Sequence, residues 1–144
     1  LCMGLYWLFG MTPMDAAIHA FSVMGLGGFS SHDASFGWFH SLPLEIITEV
    51  FALIAGMNFA VHFIALRSRS LKPYTIDPEV RWYFGYIVGS CLTLALLLWS
   101  RGLYDDYPGA LRDVTFSVIS MCTTLGLATA DAAAAGPGYF SLAD

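Results

Sequence analysis

The sequence is short of charge. Only 12% of its 144 residues are charged, where a soluble domain carries about 25%, and this excludes an ordinary water-solvated surface. Cysteine is nearly absent too. Cys2, Cys91 and Cys122 stand in apolar surroundings without CxxC spacing, so they read as small buried thiols, not as a disulfide or metal framework. HExxH and GxSxG are both missing, and no serine, cysteine or carboxylate pair stands at nucleophile or zinc spacing. No catalytic residue, no cofactor and no nucleic-acid partner are therefore expected. The opening "LCMGLYWLFG" lacks an initiator Met and the basic region of a signal peptide. Its nine apolar residues are too few to span a bilayer, and they are expected to be the tail of a helix that begins upstream. With "AAAAGPGYFSLAD" at the other end, the chain reads as a fragment of a longer protein.

What the chain has is apolar bulk: 57% hydrophobic, 15% aromatic, mean hydropathy +0.65. An all-α polytopic membrane protein is expected. Residues 42–66, "LPLEIITEVFALIAGMNFAVHFIAL", form one long apolar run, with Glu45 and Glu49 in its first turns at an interface. As one helix it would cover about 37 Å, more than the ~30 Å hydrocarbon core. A second span, 82–100, is flanked by Arg81 and Arg101. Between them, residues 67–81 hold Arg67, Arg69, Lys72 and Arg81, four of the six basic residues. Short loops rich in Lys and Arg stay in the cytoplasm. Residues 1–10 then end an outward span, 42–66 runs inward and 82–100 runs outward.

Two semi-polar segments on the outer side, 12–40 and 108–131, are too short-breathed to span. In the first, Thr12 is placed as N-cap, Pro13 at N1 and Asp15 at N3, which predicts a helix of about 12 residues that stops at Gly25. In the second, Pro108 opens a helix that stops near Thr123. Each is followed by Leu-Gly, two residues and a hydroxyl, then an Asp: "LGGFSSHD" with Asp33 and "LGLATAD" with Asp131. Placing Gly27 on Gly126 gives a repeat offset of 99 residues. The order is span, short helix, glycine loop, span, and then the same again.

Irregular backbone at membrane depth is tolerated only where protein buries it or it lines a watery cavity. A half-helix ending in a glycine turn places partial negative charge there and leaves carbonyls free to replace water around a cation. Glycine permits the φ values that aim successive carbonyls one way. The alternative is that Gly25, Gly27 and Gly28 let helices pack closely. A second loop of the same form in the same topological place favours a pore.

"MTPMDAAIHAFSVMGLGGFSSHDAS", "IAGMNFAVHF", "DPEVRWY" and "TTLGLATAD" resemble the TrkH/KtrB-type potassium transporters of the Trk/Ktr/HKT superfamily, over nearly the whole chain. The resemblance implies repeated span–pore helix–glycine filter loop–span units around one ion path. It implies that this chain runs from the end of the first span of the second repeat to just past the third pore loop. It makes Gly27 and Gly126 the filter glycines, with carbonyls of Gly25, Leu26, Thr124 and Leu125 as further K⁺ ligands. It implies a multi-pass protein of the bacterial inner membrane, a homodimer, with a cytosolic nucleotide-binding regulatory subunit of the TrkA/KtrA kind. The family often has Ser-Thr where Gly25-Leu26 stands and Thr where Leu125 stands. Carbonyl ligation survives such changes; hydroxyl support behind the filter does not.

The reading that follows is potassium uptake, driven by ion gradient and voltage. An intramembrane enzyme using His and Asp, and a structural membrane subunit, are the alternatives. Asn58 and His62, four apart on one helix face, either line the cavity or make an interhelical hydrogen bond. His19 and His32, flanking the first loop, are expected to be structural and not metal ligands. Asp33 and Asp131 stand at the outer mouth, and Trp7, Trp38, Trp82 and Trp99 suit interfacial anchoring.

Overall fold

A computed structural model describes residues 1–104 and 106–129. These residues form seven α-helices and one 3-10 turn, with no strand among them: α1 Cys2–Leu8, α2 Pro13–Met24, the 3-10 turn Ser35–Phe39, α3 Leu42–Ala55, α4 Phe59–Ser68, α5 Lys72–Ile76, α6 Pro78–Ser100 and α7 Tyr107–Cys122. Asp131 and the remainder of the C-terminal segment lie outside the described residues.

Side-chain caps start α2, α6 and α7. Thr12 caps α2 by accepting the Asp15 N–H, Asp77 caps α6 through Glu79 N–H, and Asp106 caps α7 through Gly109 N–H. A proline stands in the first turn of each, where its missing N–H costs nothing. The start of α2 and the stops at Gly25 and Thr123 fall where the sequence placed them, while α7 begins at Tyr107, one residue before Pro108, and α6 begins at Pro78, four residues before the expected span.

α3 is the hub, packed against α1, α2 and α7, while α6 lies along α7. Tyr6 of α1 is fully buried and donates its hydroxyl to Thr48 Oγ1 at 2.7 Å, since the Thr48 hydroxyl is itself committed to Leu44 O. Phe36, just beyond the first glycine loop, stacks on Phe116 of α7 with ring centroids 5.6 Å apart. One apolar core therefore joins the two span-and-half-helix units.

The 23 residues of α6 rise about 35 Å, enough to cross a hydrocarbon core. Its flanks are exposed and apolar, including Trp82, Phe84, Leu92, Leu96 and Trp99, which is the pattern of a helix solvated by lipid. Among the described residues it is the one unbroken helix long and apolar enough to span.

The run 42–66 is not one helix. α3 and α4 meet at 88° across Gly56, Met57 and Asn58. Gly56 sits at a crowded crossing, where a Cβ would stand 2.8 Å from the Tyr83 hydroxyl and 3.0 Å from Thr123 Cγ2. The freed backbone groups find side chains. Asn58 caps α4 through Ala60 N–H and donates Nδ2 to Glu79 Oε2 at 3.0 Å. His62 Nε2 donates to Ile54 O at 2.9 Å, and Nδ1 accepts from the Tyr74 hydroxyl at 2.8 Å. Asn58 and His62 are thus the hydrogen-bonding pair of a bend, and Asn58 lies at the helix boundary instead of on a continuous face.

Candidate functional site

The glycine loops leave α2 and α7 by the same route. At the ends of the two helices, the N–H groups of Gly25 and Thr123 reach back to Phe21 O and Ile119 O. Those of Leu26 and Thr124 reach Val23 O and Met121 O, and those of Gly27 and Leu125 reach Ser22 O and Ser120 O. Leu26 and Thr124 both turn left-handed, at φ 50° and 62°. Gly28 and Gly126 follow, again left-handed, at 69° and 78°. The backbones are equivalent residue by residue.

This equivalence corrects the repeat register by one residue. Gly126 pairs with Gly28, and Gly27 pairs with Leu125. The expected pairing matched Leu-Gly to Leu-Gly by letter. In the fold, the count starts at the helix ends Met24 and Cys122, and the glycine doublet leaves the letters ambiguous. Gly25 becomes the counterpart of the Thr123 cap, and Gly28 is the residue that the letter match passed over.

The two loops touch. A Cβ on Gly28 would lie 2.5 Å from Leu125 O, and one on Gly126 would come within 3.9 Å of Gly28 Cα. Along the second loop exposure alternates: Thr124, Gly126 and Ala128 face outward, while Leu125 and Leu127 are buried in the apolar core. Small or polar groups thus line one side, and leucines anchor the other.

The 3-10 turn after the first loop grips the second. Ser35 Oγ accepts Ala128 N–H at 3.1 Å, and Gly37 N–H donates to Ala128 O at 3.1 Å. Gly37 has no room for a side chain, because a Cβ there would collide with Thr129 O. These contacts cross from one repeat to the next.

His19 sits behind the first loop, fully buried between Phe36 and Phe39. Nδ1 donates to Asp15 O at 2.9 Å, so Nε2 of the neutral ring accepts from the Ser30 hydroxyl at 3.1 Å. Asp15 gathers the polar groups around the start of α2. Ser31 Oγ and Thr12 Oγ1 donate to its two oxygens at 2.7 Å each, and His32 Nε2 stands 3.5 Å away. Hydrogen bonds from Ser31 and then Thr12 hold its carboxyl below the usual carboxylate range. His32 stacks on Trp38 at 4.8 Å. His19 is thus packed and hydrogen-bonded on both ring nitrogens, His32 lies between Trp38 and Asp15, and Asp33 is exposed. No group of three His, Cys, Asp or Glu able to hold a metal occurs among the described residues.

The sequence and the fold both have counterparts among known proteins. Residues 4–140 match the family described as TrkH, cation transport protein. The chain is 41% identical over 128 residues to the Trk system potassium uptake protein TrkH of Salmonella typhimurium, covering 89% of this chain and 26% of that protein. Against the protein of the same name from Escherichia coli K12 it is 39% identical over 128 residues, with the same coverage. The crystal structure of the potassium transporter TrkH from Vibrio parahaemolyticus aligns with a TM-score of 0.84 at 41% identity, over 90% of this chain and 28% of that one. The chain spans about a quarter of the length of the relatives it matches. Its architecture is that of an all-helical, polytopic membrane protein, and the chain belongs to the TrkH family of cation transport proteins.

Proposed function

We propose that this chain forms two quarters of a potassium uptake pathway, and that its glycine loops present backbone carbonyls to K⁺. The observation that carries the reading is the shared backbone of the loops, which brings Gly28 against Leu125 and Gly126. Two half-helices end there, so two sets of C-terminal partial negative charge converge on one place. With the register corrected, the proposed ligands are carbonyls of Leu26, Gly27 and Gly28 in one loop and of Thr124, Leu125 and Gly126 in the other. Gly25 serves as the helix cap beneath them.

Relatives of this similarity are named as potassium uptake proteins of a Trk system, which supports K⁺ as cargo and a partner within that system. The rest of the reading is a homodimer in a bacterial inner membrane, with a cytosolic nucleotide-binding regulatory subunit. The glycine loops face outside and residues 67–81 face the cytoplasm, in keeping with the four basic residues there. The test is uptake by the full-length protein in cells without potassium uptake of their own. Saturable K⁺ accumulation that excess Na⁺ does not displace supports the reading. An absence of K⁺ flux with the protein present in the membrane overturns it.

A further inference from the structure

The two loops share a backbone but not the hydroxyl behind it. Ser22 and Ser120 hold equivalent places in the last turns of α2 and α7, and each carbonyl accepts an N–H from its loop. Their side chains part company. Ser120 Oγ donates to Leu127 O at 2.6 Å in a buried contact, while Ser22 Oγ is buried with no hydrogen-bond partner among the described residues. Ser120 O also receives two N–H groups, from Leu125 at 2.8 Å and Gly126 at 3.3 Å. Ser120 therefore grips the loop on both sides of Gly126.

The Leu127–Ala128 peptide is pinned at both ends. Its carbonyl takes the Ser120 hydroxyl, and its N–H donates to Ser35 Oγ from the other repeat. A peptide is planar, so fixing both groups fixes the plane and limits rotation of the residues before it. The corresponding Phe29–Ser30 peptide gets no such bond from Ser22; the first loop is held by the His19 contact to the Ser30 side chain.

We propose that Ser120 is a positioning residue of the ion pathway, orienting the Leu125 and Gly126 carbonyls through the Leu127–Ala128 peptide, and that Ser22 has no such role. The proposal rests on the filter reading above. Selectivity between two cations of one charge depends on where carbonyls stand, so loosening the peptide changes preference before it changes throughput.

The experiment compares K⁺ over Na⁺ preference, KM and maximal uptake in the full-length protein at matched membrane amounts. Ser120→Ala is expected to lower the preference about tenfold, the equivalent of ~1.4 kcal/mol, with maximal uptake retained. Ser120→Thr keeps the hydroxyl and keeps the preference, and Ser22→Ala leaves it unchanged. A merely structural Ser120 would lower the amount of protein and the maximal uptake while sparing the preference, and that result overturns the proposal. So does an equal loss of preference in Ser22→Ala. If Ser120→Ala fails to reach the membrane, Ser35→Ala releases the other end of the same peptide and decides: unchanged preference refutes the proposal. Gly126→Ala separates the two ideas. If it shifts preference while Ser120→Ala does not, only the role of Ser120 falls; if neither shifts it, the filter reading falls as well.

Discussion

Arg112 of α7 closes on Glu45 of α3 through two parallel hydrogen bonds, Nε to Oε2 at 2.8 Å and Nη2 to Oε1 at 2.7 Å. The pair ties the half-helix of one repeat to the span of the other. Its two ends are unequal: the Glu45 side chain is 10% exposed and that of Arg112 46%. Removing Arg112 strands a carboxylate away from water, whereas removing Glu45 leaves a guanidinium that water can reach. An exposed pair is worth about 1 kcal/mol at most and breaking a buried one costs about 3 or more. Arg112→Ala should therefore destabilise by about 2 kcal/mol, a value between those limits, and Glu45→Gln by less. Thermal unfolding of the purified full-length protein in detergent checks the order, and a double-mutant cycle isolates the pair. Equal losses would mean that Glu45 is hydrated in the assembled protein.

Asp15 gives a pH dependence with a definite sign. Its carboxyl is held below the usual range by hydrogen bonds from Ser31 and then Thr12, so the ionised form is favoured when folded. That contribution is complete above the ordinary carboxylate pKa and is lost as pH falls through the depressed folded value. Asp15→Asn should lower the melting temperature at neutral pH and match the parent at strongly acid pH. A melting curve series across pH checks this; parallel curves for the two proteins would remove Asp15 from that network.

The helix starts were legible because they rest on local chemistry. Thr12, Pro13 and Asp15 announce α2 within four residues, and its end at Gly25 needs nothing distant. The break at Gly56–Asn58 was not legible, because residues 42–66 read as one predominantly apolar run of helical length. Tyr83 and Thr123 pack where Gly56 lacks a Cβ, Asn58 and His62 take up the freed Ala60 N–H and Ile54 O, and Glu79 and Tyr74 hold those two side chains in turn. Glu45 could be placed near an end of α3, but its partner lies 67 residues on. The existence of two matching loops could be read from their letters. Their register could not, since three glycines at 25, 27 and 28 fit Gly126 in more than one way. The backbone decides by φ, and only Gly28 among them is left-handed.

Orientation can be tested with thiol labelling. Cys2 and Cys91 are buried but Cys122 is exposed, so Cys122→Ser comes first to clear the background. Asp33 and Leu71 are both exposed, the first beyond the glycine loop and the second among the basic residues 67–81. In intact cells, Asp33→Cys should react with a membrane-impermeant maleimide and Leu71→Cys should not until the membrane is opened. The reverse pattern would invert the topology and place the loops inside.

The glycine register predicts an order of damage. Gly27 has an ordinary φ, and the tight contact of a Cβ there is with the Phe29 ring at 3.1 Å, a side chain able to swing away, while Ser22 O lies at an ordinary 3.8 Å. At Gly126, φ 78°, a Cβ would make only an ordinary contact, 3.9 Å to Gly28 Cα, so alanine there pays left-handed strain alone, about 1–2 kcal/mol. Gly28 carries the same strain at φ 69°, and its Cβ would also strike Leu125 O, a backbone atom of the neighbouring loop. Shifting that carbonyl moves one of the proposed ligands. Alanine should therefore be tolerated best at Gly27, should impair K⁺ preference at Gly126, and should do most harm at Gly28, where one substitution disturbs both loops. The pairing of Gly27 with Gly126 makes a different forecast, in which those two respond alike. Uptake of K⁺ and Na⁺ by the three full-length variants, normalised to protein in the membrane, separates the two. Gly136, in the segment that follows, lies outside the described residues and stands as a position where alanine should do far less than at Gly126. If Gly28→Ala transports with unaltered preference while Gly27→Ala does not, the loop register read from the backbone is wrong.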